Sequence, residues 1–345
     1  MRELLLLGGL ATLLLSSPVT AQPKLRPLEV PPTAGWQHAR TSLILPSRIA
    51  GLARTSLHDN GADELDVVAQ YGNEDDRLFA TVYLFHSQIP SVPVWFDRAR
   101  TVIEERPVYD VGAEEAGPVH GLTLENAEVA RGLSVAYPLD TGGLTSTALA
   151  VAPAKGWMVK VRMSSRDLPA AALEQKLVKF VQDIRWPEVS ATMAAPAAAP
   201  VQPCPARLSY RRAKQLKPDL AQTLFGSIMA ASAAIKPSAE VRYCRETSAG
   251  VPYGVYRPVG DMERYVIALA DSGRAVSVGK SSNITDLEKS IYSVSKLDLG
   301  RSGIYPSFDR LPKPDQVMQL VSKSAPAAAA EAGTNTVTID ASTLD

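Results

Sequence analysis

Gly279-Lys280-Ser281 has the residue types that end a phosphate-binding loop. Such a loop needs a glycine five positions before its second glycine, so that backbone amides surround the phosphates. Here that position is Arg274, and the segment follows a hairpin instead of opening a βαβ unit. Nucleotide binding is therefore not expected. Ser293-Val294-Ser295-Lys296 places a lysine three residues after a serine. On a helix that spacing sets the amine beside the hydroxyl, as acyl transfer requires. Arg301-Ser302-Gly303 follows too soon for the intervening domain such chemistry needs, so a solvated helix face is expected. No Gly-x-Ser-x-Gly elbow occurs in the chain.

The four histidines, His38, His58, His86 and His120, are widely spaced, and none forms the i, i+4 pair of a helical zinc site. His58-Asp59 could meet His86 across strands and take a metal with Asp63 or Asp66, but turn and surface roles are expected. Asp59-Asn60-Gly61-Ala62-Asp63-Glu64 has the composition of a calcium loop, yet an EF-hand would need glutamate at Gln70. A tight turn fits better. In the doublets Asp75-Asp76, Glu104-Glu105 and Glu114-Glu115, adjacent side chains do not face one target, so solvated surface is expected. No catalytic, cofactor-binding or metal-binding residue is assigned, and no cofactor is expected.

One basic cluster stands out: Arg207, Arg211, Arg212, Lys214 and Lys217, interleaved with Tyr210. Such a cluster could contact anionic lipid, lipopolysaccharide or an acidic protein partner, against the plainer reading of a solvated face. Val92, Val94, Trp95 and Phe96 could form an exposed apolar edge; burial in the first turn of a core helix is expected instead. The chain's two cysteines, Cys204 and Cys244, have no histidine nearby, and an even pair in an exported chain reads as a disulfide. Closing a loop of about 40 residues would stabilise the fold by roughly 4 kcal/mol.

The elements that would carry these residues fall into two groups. In the first, Glu64 to Tyr71 and Leu78 to Phe85 read as strands around a turn, followed by a helix near Val94 to Arg106. Leu133 to Leu139, Leu144 to Ala152 and Trp157 to Met163 then form a meander through Gly-containing turns. Leu173, Leu177, Phe180, Val181 and Ile184 recur at helical spacing, and Pro187 ends that helix. In the second group, Asp219 caps a helix from Leu220 to about Ile235. Strands are expected at Glu240 to Glu246, Tyr253 to Val259, Tyr265 to Ala270 and Ala275 to Gly279. Helices are expected near Asp286 to Lys296 and from Pro314 to Ser322.

The resulting expectation is an α+β protein of two domains, each an antiparallel sheet with helices packed on it. Residues 1–21 read as a signal peptide: a short start, an apolar run from Leu4 to Leu15, and a small-residue site ending at Ala21. Cleavage there would deliver a periplasmic or secreted chain. Residues 22–34 read as an extended arm, 35–188 as the first domain, and 189–203 as an Ala/Pro linker. The second domain spans 204–323, and 324–345 read as a mobile tail in which Thr336 to Asp340 could pair as an edge strand.

With 36 basic and 36 acidic residues the formal net charge is zero, which argues against nucleic acid as a partner. No apolar stretch beyond the signal reaches membrane-spanning length, so no membrane span is expected. The hairpin of Leu65 to Phe85 and the closing stretch from Trp157-Met158-Val159-Lys160-Val161-Arg162 through Phe180 to Trp186-Pro187 resemble the PsbP-like α+β fold. That resemblance covers less than half the chain and is shared with exported bacterial proteins. It implies an adaptor or binding module without chemistry of its own. The reading is an exported, non-enzymatic envelope protein that binds a ligand or partner. The alternative is a periplasmic hydrolase built from the first-domain histidines and nearby acids.

Overall fold

Trp157-Met158-Val159-Lys160-Val161-Arg162-Met163 shows how the first sheet is organised. Successive side chains of a strand point to opposite faces. Trp157, Val159, Val161 and Met163 accordingly enter one buried cluster, while Met158 enters another on the opposite face. The computed structural model describes residues 25–61, 63–107, 109, 116–124, 127–188, 196–217, 219–233, 241–248, 252–284, 286, 288–331 and 336–339. The expected signal peptide, residues 1–21, lies outside the described residues.

The first half of the chain holds β1 (Arg26–Pro27), β2 (Trp36–Gln37), β3 (Ile44–Leu45), β4 (Arg48–Ile49), β5 (Leu52–Asp59), β6 (Asp66–Gly72) and β7 (Leu78–His86). Helix α1 (Val92–Glu104) follows, then β8 (His120–Leu122), β9 (Gly132–Thr141), β10 (Leu144–Ala154), β11 (Trp157–Ser165) and α2 (Ala170–Gln182). The strands join in the order β1-β5-β6-β7-β11-β10-β9-β8, with β4 also on β5 and β2–β3 as a separate pair. Every pairing is antiparallel. Gly142 and Gly143, with φ of 62° and 69°, make the tight β9–β10 turn that left-handed backbone permits. On α2, Leu173, Leu177, Phe180 and Val181 share a cluster with Ala148, Ala150, Val159 and Val161. The Tyr71 and Phe180 rings meet edge to face at 5.3 Å.

The second half contains α3 (Leu220–Ala233), β12 (Tyr243–Ser248), β13 (Tyr253–Pro258), β14 (Arg264–Leu269), β15 (Ala275–Ser282), β16 (Ser290–Leu297) and β17 (Arg301–Phe308). It ends with α4 (Pro314–Lys323), β18 (Ala328–Glu331) and β19 (Val337–Ile339). These strands pair antiparallel in simple sequence order, β12 through β19. Among the described residues, each half therefore holds one large antiparallel sheet, beside the small β2–β3 pair.

Two expectations need correction. The helix expected near Asp286 to Lys296 is not formed: Ser290–Leu297 is strand β16, held between β15 and β17. Its Ile291 and Val294 are buried in a sheet whose neighbours on both sides demand a strand. The stretch read as the start of a mobile tail instead supplies β18, with Ala328, Ala329 and Ala330 buried against β17. Thr336 to Asp340, read as a candidate edge strand, contributes β19 at Val337–Ile339.

Helix α1 lies where the halves meet. Val92, Val94, Trp95 and Phe96 are all buried, as a core helix requires. They share one cluster with Leu149, Val151 and Met158 of the first sheet and with Tyr256, Val266, Ala268 and Ala275 of the second. Gly273 closes the β14–β15 turn with φ of 77°, and a Cβ there would fall 2.5 Å from Phe85 Cδ2. Residues 189–195 of the expected linker lie outside the described residues. Its remainder is anchored: the Ala198 N–H donates to Ala130 O at 2.8 Å, and Val201 is buried.

Candidate functional site

From Cys204 to Lys217 the chain contains no acidic residue and runs as an extended strap across the second sheet. Its start is fixed beside β12. Cys204 is joined to Cys244 by a disulfide, with the two Cα atoms 4.9 Å apart. The Cys204 N–H donates to Arg245 O at 2.9 Å, and the Arg245 N–H donates to Gln202 O at 2.8 Å. Beneath it lies a buried ion pair, Arg257 Nε to Glu246 Oε2 at 2.8 Å. This pair also grips the strap: Glu246 accepts from the Leu208 N–H, and Arg257 donates to Ala206 O.

The far end is fixed beside β17. The Leu216 N–H donates to Ser307 O at 2.9 Å, and the Lys214 N–H donates to Asp309 Oδ1 at 2.8 Å. Leu208 and Ala213 point into the cluster formed by Tyr265, Val278, Val294 and Val317. The apolar residues of the strap thus face inward, and the cations outward. Arg207, Arg211, Arg212, Lys214 and Lys217 are all exposed, and none forms an ion pair among the described residues. Tyr210 lies over Tyr265 at 6.2 Å, and its hydroxyl is buried without a hydrogen-bond partner. Burial, reinforced by the Glu246 carboxylate, pushes its phenol well above the usual range.

Large apolar side chains stand exposed at both ends of this basic band. Val259 and Met262 occupy the β13–β14 turn, which Arg257 ties to the strap by donating to Asp261 O at 2.7 Å as well as to Ala206 O. Beyond Lys217, Asp219 Oδ1 accepts from the Gln222 N–H at 2.8 Å and caps α3. That helix packs on β17 and β18. Thr223 and Ser227 are buried, and Ile304 lies beside Gly226. Leu220, Leu224 and Phe225 are left 47%, 37% and 39% exposed. Over Leu220 to Ser227, the first two turns of this helix bury Thr223 and Ser227 and leave Leu220, Leu224 and Phe225 exposed.

The other residues singled out in the sequence do not converge. Lys280 is in strand β15 and pairs with Glu263. Ser293 and Lys296 sit on β16, where a three-residue separation sends side chains to opposite faces. His58 on β5 and His120 on β8 are six strand steps apart, roughly 29 Å at the usual spacing. His38 and His86 flank Trp157 at 4.4 and 5.2 Å. Both are structurally committed: His38 Nδ1 accepts from Thr41 Oγ1 at 2.8 Å, and His86 Nδ1 donates to Leu299 O. Burial lowers both imidazole pKa values, leaving rings that favour the neutral form.

Asp59 accepts from the N–H groups of Gly61 and Glu64 and holds the tight turn expected there. Asp66 faces Arg274 at 3.8 Å. Among the described residues no three histidine, cysteine or carboxylate side chains group as metal ligands do. Glu104 accepts from Tyr137 and pairs with Arg100, Asp75 and Asp76 are exposed, and Glu114-Glu115 lies outside the described residues. Asp75 and Glu74 line an open depression of about 430 Å³ with Arg48 and Asn73.

Sequence reasoning missed one charged cluster. On the β11 face opposite α2, Lys160 pairs with Asp271 and lies 4.2 Å from the Tyr83 ring centroid. Arg162 stacks at 4.4 Å over Tyr109. Its Nε and Nη2 are buried without hydrogen-bond partners. Burial lowers the Arg162 pKa, and the same cause raises that of Tyr83. The signal was present in the alternation of β11, a central strand carrying two cations on one face.

No family model, no curated protein and no solved structure matches this chain.

Proposed function

We propose that this chain is an exported binding protein of the cell envelope, without chemistry of its own, whose basic strap engages an anionic partner. The observation that carries this reading is the set of five exposed cations, without ion-pair partners among the described residues, on a strap fixed at both ends. A solvated charge run needs no such anchoring. A docking surface gains from it, because ordering is complete before the partner arrives. The hydrolase alternative has weaker support: His38 and His86 are committed to hydroxyl and backbone groups, His58 lies on a distant strand, and His120 meets a single acid, Glu174, which also accepts from Ser134.

The test is retention of the purified, oxidised protein on immobilised dextran sulfate over a salt gradient. Arg211→Glu with Arg212→Glu alters two exposed side chains and leaves the core untouched. Elution of this variant at markedly lower salt is expected, because the attraction is electrostatic and screened by salt. Elution at the wild-type position would overturn the reading.

A further inference from the structure

We infer that the anionic partner is a lipid surface, onto which α3 inserts its outward apolar ridge beside the strap. This rests on the assignment of the strap as an anion-binding surface and adds the identity of the partner.

Three observations carry it. The first is the composition of α3, which contains no charged residue from Leu220 to Ala233. A helix on the surface of a globular protein ordinarily presents charged groups to water. Here the hydroxyls of Thr223 and Ser227 are spent inside, with Ser227 donating to Thr223 O at 2.8 Å. Leu220, Leu224 and Phe225 are directed outward. The helix packs on β17 and on the alanine strand β18.

The second is continuity with the basic band. Only two residues separate Lys217 from Leu220, so their Cα atoms are at most about 11 Å apart. Cations next to exposed apolar residues match the two components of an anionic bilayer surface, charged headgroups over hydrocarbon. A soluble acidic polymer would match the cations alone and leave the α3 ridge in water.

The third is the second apolar point, Val259 and Met262, at the opposite end of the strap. Exposed apolar side chains thus flank the cations at both ends of the strap, the pairing of groups that a charged lipid surface would take up. No helix among the described residues is long and apolar enough to cross a membrane, and the contact proposed is a peripheral one.

The experiment is flotation of the oxidised protein with vesicles of phosphatidylcholine alone, or of phosphatidylcholine mixed with phosphatidylglycerol. Retention on dextran sulfate is measured in parallel. Wild type should float with the mixed vesicles and not with phosphatidylcholine alone. Leu224→Ser with Phe225→Ser changes two exposed side chains and should weaken vesicle binding by about tenfold or more while leaving dextran sulfate retention intact. Arg211→Glu with Arg212→Glu should weaken both.

Retention on dextran sulfate without flotation would overturn the lipid inference and leave the strap assignment standing. So would flotation indifferent to the α3 changes. Loss of both in the wild-type protein would overturn both. Circular dichroism of each variant separates a binding defect from unfolding.

Discussion

The Tyr256 hydroxyl donates to Asp97 Oδ2 at 2.6 Å, joining a strand of the second sheet to the helix that follows β7 in the first. Arg245 Nη1 holds the other carboxylate oxygen at 3.1 Å. Burial first, and then the adjacent carboxylate, push the Tyr256 phenol far up, so it remains a donor at physiological pH. Replacing Asp97 by Ala leaves a cation and a hydroxyl unpaired inside the junction. The expected cost is about 3 kcal/mol, read from urea unfolding, whereas Tyr256→Phe should cost about 1 kcal/mol. Because one buried cluster serves both sheets, both variants should retain a single transition. Two separated transitions would contradict the shared core.

His38 and His86 make stability depend on pH in a defined direction. Burial lowers both folded-state values, so near their ordinary value of 6.5 the unfolded chain binds more protons. Stability is therefore complete above about 6.5 and falls as the pH drops below it toward the folded-state values. The slope reaches at most about 1.4 kcal/mol per pH unit for each ring. Asp66, raised by burial, acts in the opposite sense: its contribution weakens as pH rises through its unfolded value of 3.8. Urea midpoints between pH 7.5 and 5.5 (about one unit either side of 6.5) measure the histidine effect. His86→Gln should flatten the slope, and an unchanged slope would remove His86 from this account.

Two buried polar groups without partners should cost stability. The Arg162 Nε and Nη2 donors and the Tyr210 hydroxyl are closed off without hydrogen bonds. Arg162→Met keeps most of the volume and removes a desolvated charge, while Tyr210→Phe removes only the orphan hydroxyl. Each should raise stability by about 1 kcal/mol, with an unchanged dependence on urea concentration. Destabilisation by both would mean that these groups are satisfied in solution.

The Cys204–Cys244 bridge should resist thiol labelling in the non-reduced protein and should contribute about 4 kcal/mol. Modification of both cysteines before reduction would sink the assignment. Reduction should loosen the strap first, since Cys204 is one of its fixed ends.

Periodicity made β7, β10, β11 and α2 legible, because each buries residues at the spacing its element imposes. The same rule failed at Asp286 to Lys296, where a helix was expected and Ser290–Leu297 is a strand. Strands β15 and β17, on either side, supply the hydrogen bonds that decide the matter, and neither partner can be read locally. Ala328 to Ala330 failed for another reason. Alanine has little strand preference, and its use here is its size, which lets α3 approach. The five cations of the strap were countable in the sequence. That they all face outward depends on Leu208 and Ala213 entering the sheet, and on Arg257 and Glu246 holding the backbone. Arg162 was hidden because the alternation of β11 reports a face and not what covers it.

The disulfide loop, which spans 40 positions, encloses more than a fold staple. Every cation of the strap and the whole of α3 lie between Cys204 and Cys244. In a reducing compartment the loop is open, and the band of charge has lost the covalent tie at its start. If the strap binds an anion as proposed, oxidation becomes a licensing step, because only the closed loop holds the start of the band in place.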